Sequence, residues 1–330
     1  MRARQSIFLI GLCCLSAAAM TNSTVAQTSG ANSETGTILI TLGTGGGPLP
    51  TKNRMQSSNL LIVNGSLYLI DAGGGVTHRL AQSGYDFRQI NKIFITHAHG
   101  DHSAGLVTLL SSAWEYKPVR PVDVYGSGTE ALVKGAIDFL TPNAEIRWSE
   151  GKRWSMSELF RGHEVGAGLI YQDANVKVTA AENTHFNFQP GTPGYGKYHS
   201  YSYRFETPGR VVFFTGDTGP SDAVVELAKG ADLYVTETTS PDDVVEIYKR
   251  NGSWQAKTEA EQEAFLRHMH DEHVTPEDIG KMAAKAGVQA IVMSHLAPSI
   301  NANDDYQRFV DQAKKYYSGP ITLARDLMKF

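Results

Sequence analysis

Three histidines and one aspartate stand within six residues, directly after an apolar segment. Residues 93–102 read Ile-Phe-Ile-Thr-His-Ala-His-Gly-Asp-His. Side chains alternate along a strand, so His97 and His99 project to the same side, whereas Asp101 and His102 follow in a turn and can face a neighbouring point. Imidazole and carboxylate groups are the usual zinc ligands in a protein without thiols. The segment therefore predicts a metal site at the end of a strand, in preference to a solvated His-rich tract.

Short apolar segments bounded by Gly, Asn and Asp recur along the chain and are typical of strands. The predicted strands are Thr37–Leu42, Asn59–Val63, Leu67–Ile70, Ile90–Thr96, Pro121–Tyr125, Val176–Ala180, Tyr201–Glu206, Arg210–Thr215, Asp232–Thr236 and Ala290–Ser294. The predicted helices are Gly128–Leu140, Ser221–Lys229, Thr258–His270, Pro276–Ala286 and Asp304–Tyr317. Asn64-Gly65 predicts a hairpin, and residues 187–199 and 240–257 are predicted to be irregular loops. This mixed order indicates a layered α/β domain.

The pattern His97-x-His99-x-Asp101-His102 at a strand end resembles the signature of the metallo-β-lactamase superfamily. The resemblance extends over nearly all of residues 37–330. It implies an α/β fold of the metallo-β-lactamase type, a four-layer αββα sandwich of two mixed sheets with helices outside. It also implies that residues 37–330 form a single hydrolase domain.

Further segments fall in the order that this superfamily shows: His185, Asp217 and His295 each follow a predicted strand. A single polar residue at a strand end more often forms an ordinary hydrogen bond than binds a metal, so the metal site is predicted from these residues together. The resemblance implies that one zinc ion is held by His97, His99 and His185, and a second by Asp101, His102 and His295. It implies that Asp217 bridges the two ions.

Within the superfamily, the chain is most similar to the ribonuclease Z and arylsulfatase-like branch. The segments that carry this likeness are Leu42–Gly46, Leu69–Gly73, Tyr203–Pro208, Thr215–Thr218 and His273–Thr275. The resemblance implies that His273 sits beside the metals as a proton donor. The alternative is a histidine at a helix start, because Thr275 is a good cap for the helix that begins at Pro276. Asp101 and Glu237 are the other candidate catalytic residues.

Two departures from the branch limit what can be carried over. Relatives often show His-Glu after the strand that follows the bridging aspartate, whereas this chain has Thr236-Glu237. We also find no long basic arm with Gly and Pro of the kind that grips tRNA in ribonuclease Z. A ribonuclease Z activity is therefore not expected.

The first 26 residues have the layout of a secretory signal peptide. A basic start with Arg2 and Arg4 precedes an apolar segment, residues 7–20, which is short for a bilayer span and is followed by small residues. We predict cleavage after Ala26, a flexible leader over residues 27–36, and a periplasmic or secreted protein without a stable membrane anchor. The alternative is a buried N-terminal helix.

Charge and cysteine content exclude several classes of partner and chemistry. The full chain has 30 Lys and Arg against 34 Asp and Glu, a net charge of −4; without Arg2 and Arg4 the balance of 28 against 34 gives −6. An acidic surface predicts no nucleic-acid partner and leaves a small molecule as the expected substrate. Both cysteines, Cys13 and Cys14, lie in the signal peptide, so no thiolate is available to the mature site. Oligomeric state stays open, with a dimer possible.

The expected activity is that of an exported dinuclear zinc hydrolase. Two zinc ions about 3.5–4 Å apart supply a metal-bridging hydroxide at neutral pH. A small ester is the expected substrate, with arylsulfatase-like or phosphodiesterase-like activity favoured and the arylsulfatase-like one preferred, because the resemblance is greatest there. The alternatives are a lactonase or β-lactam-type hydrolase, a non-catalytic metal-binding relative, and diiron redox chemistry, which would need an electron supply.

Several residues have two interpretations at this stage. Tyr195, Lys197 and Tyr198 could polarise a carbonyl in a lactonase, and His199 with Tyr201 could line a substrate pocket or belong to a packed loop. His268 and His270 are expected to be solvated surface residues. The glycine-rich segment Gly43–Pro48 lacks the lysine of a phosphate-binding loop, so it predicts a tight turn near the site.

Export can be tested on the native protein. We expect its mass to correspond to a chain that begins near Gln27 and its activity to be found in the periplasmic fraction, because residues 1–26 carry the export signal. Intact-mass spectrometry of fractionated cells provides the measurement. Recovery of the full-length chain from the cytoplasm would contradict the signal-peptide interpretation.

Overall fold

The computed structural model describes residues 36–151, 154–299 and 306–330. The predicted signal peptide and all but the last residue of the predicted leader lie outside this range. Among the described residues, none of the helices is both long and apolar enough to cross a membrane.

Within the described ranges the chain forms strands and helices in mixed order. The strands are β1 (Thr37–Gly43), β2 (Ser58–Val63), β3 (Ser66–Ile70), β4 (Lys92–Phe94), β5 (Val122–Gly126), β6 (Phe160–Glu164), β7 (Gly168–Gln172), β8 (Lys177–Glu182), β9 (Tyr201–Glu206), β10 (Val211–Phe214), β11 (Leu233–Thr239), β12 (Ile291–Ala297), β13 (Ile321–Leu323) and β14 (Met328–Lys329). The helices are α1 (Val76–Ser83), α2 (Gly100–Ser103), α3 (Leu106–Tyr116), α4 (Thr129–Ser149), α5 (Met156–Leu159), α6 (Asp222–Ala228), α7 (Pro241–Arg250), α8 (Glu259–Asp271), α9 (Pro276–Ala286) and α10 (Gln307–Ala313), with a 3₁₀ turn at Phe87–Gln89.

The strands form two sheets of seven. The first has the order β14-β1-β2-β3-β4-β5-β6 and the second β13-β12-β11-β10-β9-β8-β7. Both are mixed: β3 to β6 pair in parallel in the first sheet and β10 to β13 in the second, and the remaining pairs are antiparallel. Because side chains alternate along a strand, each sheet presents one face to the other sheet and one face to helices.

Three apolar clusters fill the spaces between the layers. Leu39 and Phe94 of the first sheet meet Phe205 and Val235 of the second in the cluster between the sheets. The other face of the first sheet packs on α1, α3 and α4, and that of the second on α6, α9 and α10. The four-layer αββα sandwich predicted from the sequence is therefore confirmed.

Most of the predicted elements are present, with shifts of a few residues at their ends. The helix predicted over Gly128–Leu140 is longer than predicted and continues to Ser149, and the predicted helix start at Asp304 lies outside the described residues.

Asn64 and Gly65 both have positive φ, 48° and 80°, and close the hairpin between β2 and β3 as predicted. Residues 187–199 are irregular, also as predicted. The prediction of a loop over residues 240–257 is wrong, because Pro241–Arg250 form α7.

The signals for α7 were present in the sequence. Pro241 occupies the first turn, Asp242 and Asp243 follow it, and Lys249 and Arg250 lie in the last turn. Proline at a helix start, acidic residues behind it and basic residues at the end all favour a helix. The strands β6 and β7 were not predicted, because most of their side chains are partly exposed and neither strand shows clear alternation of apolar and polar residues.

Phe94 provides a test of the packing between the sheets. It is fully buried and its ring lies 5.1 Å from that of Phe205 and 5.3 Å from that of Tyr125. We expect Phe94→Ala to lower the free energy of unfolding by about 3–5 kcal/mol, because it leaves a cavity in this layer. Phe139→Ala removes a ring that is 74% exposed and should change it by less than about 0.5 kcal/mol. Urea denaturation measures both; equal losses would argue against this account of the core.

Candidate metal centre

The predicted metal ligands come from strand ends and the turns that follow them in both sheets. His97 comes three residues after β4, Asp101 and His102 lie on the short helix α2, and His185 and Asp217 each follow a strand by three residues. His295 lies within β12, where its backbone adopts a positive φ of 39°. Parallel strands place their carboxyl ends along one edge of a sheet, and such an edge is where sites form in α/β folds.

The first group of ligands consists of three imidazoles. His97 Nε2 and His185 Nε2 each lie 3.1 Å from His99 Nδ1. His97 and His185 are buried, whereas His99 is open to solvent. Three nitrogens that converge in this way supply the protein ligands of a tetrahedral zinc site and leave one position open.

The second group consists of two carboxylates and two imidazoles. His102 Nε2 lies 3.2 Å from Asp217 Oδ1, and His295 Nε2 lies 3.2 Å from Asp101 Oδ2 and 3.4 Å from Asp217 Oδ2. All four residues are buried. Asp217 also has a carboxylate oxygen within 4.8 Å of an imidazole nitrogen of His185. It thus stands between the two groups, at the position expected of a bridging ligand.

Buried atoms without hydrogen-bond partners show that these residues fit a cation. His102 Nε2 and Asp217 Oδ1 approach within 3.2 Å without forming a hydrogen bond, and neither they nor His295 Nδ1 have another partner among the described residues. Buried polar atoms are normally paired, so unpaired ones need an explanation. A buried imidazole nitrogen of His102 and a buried carboxylate oxygen of Asp217 that face one another fit metal ligation.

Asp71 is a supporting residue that the sequence analysis did not select as a site residue. It follows β3 directly, and its Oδ2 accepts a hydrogen bond from His102 Nδ1 at 2.8 Å. Its Oδ1 accepts one from the backbone N–H of Thr96, also at 2.8 Å. Such a bond fixes the tautomer of a histidine and turns Nε2 towards a metal. An aspartate at the end of a buried strand beside β4 was the available signal.

His185 is oriented in a similar way by a backbone group. Its Nδ1 donates a hydrogen bond of 3.0 Å to the carbonyl oxygen of Glu272. His97 Nδ1 lies 3.1 Å from the Thr96 hydroxyl. In both residues this leaves Nε2 for the metal side.

Burial and charge have different net effects on the four buried imidazoles among these ligands. Burial lowers the pKa of His102 and of His295, but the carboxylates beside them outweigh it and raise both pKa values above the ordinary histidine value. Burial lowers the pKa of His97 and of His185 well below the ordinary histidine value, so both imidazoles are neutral and able to act as ligands. Burial raises the pKa of Asp217, but the charges of His295 and His102 outweigh it and hold that pKa well below the usual range. Asp217 is therefore ionised, as a bridging ligand must be.

The glycine-rich turn lies against this centre, as predicted. The backbone N–H of Gly47 donates to Asp101 Oδ2 at 2.9 Å. A Cβ atom at Gly46 would stand 2.7 Å from His295 Nδ1, closer than side chains tolerate. Glycine is needed at Gly46 because the backbone passes directly beside a ligand ring.

A histidine–glutamate pair lies beside the metal ligands. His273 Nδ1 donates to Glu237 Oε2 at 2.8 Å, and Glu237 also accepts the Thr218 N–H at 2.6 Å and the Thr239 hydroxyl at 2.9 Å. The His273 ring lies 4.9 Å from that of His185. Burial lowers the pKa of His273, but the Glu237 carboxylate outweighs it and raises that pKa to about 9. The structure thus brings both candidate residues to the site.

His273 is also at a helix start, so the two interpretations of this residue are compatible. Thr275 caps α9, its hydroxyl accepting the Asp278 N–H at 3.3 Å while the Asp278 side chain returns a capping-box bond. The cap fixes the backbone two residues after His273. It leaves the imidazole free to face His185.

A cavity of about 200 Å³ opens over the ligands. Its lining includes ligands on one side and side chains of α7 and α8 on the other. The tyrosines and lysine of residues 195–198 do not line it, and neither do His199 and Tyr201. His199 instead pairs with Glu182 at 2.6 Å.

His268 was predicted to be a solvated surface residue, and this is wrong. Its side chain is 35% exposed, lines the cavity, and lies with its ring 5.0 Å from that of His273. Its Nδ1 is 2.6 Å from Glu272 Oε2. The prediction failed because the last turn of α8 faces the site, and the polarity of a sequence does not show which way a helix faces. His270 is exposed, as predicted.

Comparison with known proteins places the chain in a family. A sequence model of the beta-lactamase superfamily domain matches residues 67–296. Ribonuclease Z of Brevibacillus brevis is 29% identical over 299 residues, which cover 81% of this chain and 87% of that protein. Ribonuclease Z of Mycobacterium bovis is 27% identical over 290 residues, which cover 87% of this chain and 95% of that protein.

Solved structures show the same fold. The metallo-beta-lactamase fold protein YhfI from Bacillus subtilis matches with a TM-score of 0.62 and 17% identity, over 89% of this chain and 98% of that one. The short form of human tRNase Z matches with a TM-score of 0.59 and 22% identity, over the same shares. Together with the domain match, which covers more than half of the chain, these likenesses show that the protein belongs to the metallo-β-lactamase superfamily of metal-dependent hydrolases, in its ribonuclease Z-like branch.

Proposed function

We propose that this protein is an exported dinuclear zinc hydrolase that cleaves a small ester of phosphoric or sulfuric acid. The observation that carries the proposal is the pair of ligand groups joined at Asp217, with His102 Nε2 and Asp217 Oδ1 buried and unpaired. His97, His99 and His185 would hold one ion. Asp101, His102 and His295 would hold the other. Bound in pairs, zinc ions acidify water and stabilise negative charge that develops on an ester oxygen.

His273 and Glu237 supply the proton that the leaving group needs. Glu237 holds the Nδ1 proton of His273, so Nε2 is the nitrogen that can release a proton to an oxygen. The Glu237 carboxylate keeps the His273 imidazole protonated, and divalent cations bound by the neighbouring ligands would act in the opposite direction and lower its pKa. A general acid works best when its pKa lies near the working pH.

A phosphodiester is the favoured substrate among the possible esters. The relatives at 27–29% identity carry the name ribonuclease Z, and a ribonuclease cleaves phosphodiester bonds. A sulfate ester, the arylsulfatase-like option, is also a monoanion and can use the same site. The cavity gives specific support to a small substrate, because among the described residues no lysine or arginine lines it. We therefore do not extend the proposal to tRNA or any other nucleic acid.

The other options have less support. The lactonase alternative relied on Tyr195, Lys197 or Tyr198 reaching the metals, and none of them lines the cavity. A non-catalytic relative would be expected to lack ligands, whereas all seven predicted ligands converge. Diiron chemistry is distinguished by metal analysis.

The proposal predicts two zinc ions per chain and an ester hydrolase activity that depends on them. Elemental analysis should find the two ions. On a panel of methyl 4-nitrophenyl phosphate, 4-nitrophenyl sulfate, a lactone and a β-lactam, the phosphate or sulfate ester should be hydrolysed fastest. Asp217→Asn should abolish turnover and weaken both ions together, because one carboxylate serves both.

The matched control for this variant is Asp222→Asn. Asp222 is 91% exposed and makes only a surface ion pair with Lys285, so metal content and turnover should stay as in the wild type. A single tightly bound ion at saturating zinc would refute the dinuclear site. Preference for the lactone or β-lactam, or stoichiometric redox-active iron, would refute the proposed chemistry.

His273 can be tested by the contrast between two leaving groups. His273→Ala should lower turnover of a phenyl ester by roughly 10²–10⁴-fold, because phenolate needs a proton, and should lower that of the matching 4-nitrophenyl ester much less. Glu237→Gln should show the same pattern. Steady-state kinetics with metal content as a check provide the measurement.

His270→Ala serves as the control for this comparison, since His270 lies in the same segment and is exposed. It should leave both esters unaffected. Equal losses on both esters in His273→Ala, or loss of metal, would return His273 to a purely structural role.

A further inference from the structure

The helices α7 and α8 each turn one stripe of side chains towards the cavity. Val244, Ile247 and Tyr248 form the stripe on α7, and the stripe on α8 consists of Phe265, His268 and Met269. Both have the spacing i, i+3, i+4, which places three side chains on one face of a helix. Five of these six side chains are apolar or aromatic. We call these six side chains the helical wall.

The helical wall is separate from the core of the sandwich. Tyr248 and Phe265 are only partly buried and belong to none of the three apolar clusters between the layers. Their rings pack on each other, with centroids 4.8 Å apart, and Trp254 lies 6.1 Å from Phe265. Lys257 Nζ lies 5.8 Å from the centroid of the Tyr248 ring and 5.5 Å from that of Phe265, and both rings also line the cavity. These aromatic side chains therefore gain little from core packing.

The size and polarity of the cavity define what fits against this wall. Its volume of about 200 Å³ exceeds the roughly 150 Å³ of a cavity that accepts benzene. Among the described residues His268 and the Tyr248 hydroxyl are the polar groups of the wall, and no lysine or arginine lines the cavity. A charged or strongly polar group placed there would lose water without gaining partners. A flat, uncharged, apolar group would gain by burial.

The position of His273 decides which part of the substrate lies there. Its ring is 5.0 Å from that of His268, which is part of the helical wall. The proposed proton donor must reach the oxygen of the leaving group. The leaving group therefore lies on the side of the cavity that α8 forms.

We propose that the helical wall is a leaving-group subsite that selects a flat, apolar, aromatic alcohol, and that Phe265 and Tyr248 determine this specificity. The inference rests on the proposed function for the identity of the reacting bond. It assigns the anionic ester group to the metal ligands and the aromatic ring to α7 and α8.

Substrate pairs that differ in ring size test the subsite in the zinc-loaded, full-length protein. We would compare 2-naphthyl with phenyl methyl phosphate, and 2-naphthyl with phenyl sulfate, because the two leaving groups have similar acidity. The wild type should have a lower KM for the naphthyl ester. Phe265→Ala should raise that KM by about tenfold, on the scale of aromatic burial, with kcat little changed. Phe265→Leu, which keeps an apolar side chain, should raise it less.

Leu266→Ala is the matched control. Leu266 is the next residue on the same helix, is 36% exposed and does not line the cavity, so its truncation should leave KM unchanged for both esters. Equal effects of Phe265→Ala and Leu266→Ala would overturn the subsite. So would an equal rise of KM for the phenyl and naphthyl esters, because loss of ring contact should cost the larger ring more.

Binding of an ester-free probe separates this inference from the proposed function. Calorimetry should show that naphthalene-2-sulfonate binds the zinc-loaded protein more tightly than methanesulfonate, and that Phe265→Ala removes most of the difference. If this holds while no ester is hydrolysed, the subsite stands and the proposed function fails. If esters are hydrolysed but both sulfonates bind equally, or naphthalene-2-sulfonate does not bind, the subsite is refuted.

Discussion

The carboxylate of Asp217 is buried between two groups of imidazoles, and the site depends on how its charge is balanced. Burial alone would favour the neutral acid, since a carboxylate loses its hydration in the interior. His295 and His102 reverse that preference, and their Nε2 atoms lie 3.4 and 3.2 Å from its two oxygens. The neighbouring His97 and His185 are neutral, so their lone pairs are available to a cation, whereas a metal held by His102 and His295 would take the place of the protons on their Nε2 atoms. Removing the Asp217 carboxylate would leave the two groups of candidate ligands without the residue that they share.

The sandwich makes this cluster possible by fixing its members from separate layers. The first sheet supplies the turn after β4 and the short helix α2, and the second supplies the ends of β8 and β10 and part of β12. Within the part that the first sheet supplies, Asp71 ties the turn after β4 to α2, because its carboxylate accepts hydrogen bonds from the Thr96 backbone N–H and the His102 ring. Ligands held by strands and their hydrogen bonds keep their geometry, whereas ligands on long loops would not.

The chemistry and the specificity are built from different parts of the chain. The strands of the two sheets and the turns that follow them carry the candidate metal ligands, and Glu237 of β11 holds His273 beside them with hydrogen bonds from Thr218 and Thr239 behind it. The helices α7 and α8 carry the wall that faces them, and its aromatic side chains are only partly buried. Such a division allows the wall to vary in sequence without disturbing the centre.

The sequence determined the candidate metal ligands, because a dense motif at a strand end and single residues after later strands keep their chemistry wherever the fold brings them. It also determined the layered α/β class and the hairpin at Asn64-Gly65, since alternation and turn preference are local properties. Tertiary structure alone decided that Asp71 binds His102, that His268 lies beside His273, and that α7 lines the cavity. Those features depend on which residues from distant segments meet across a cavity. Local sequence does not encode which distant segments become neighbours, because that depends on how the layers of the fold pack.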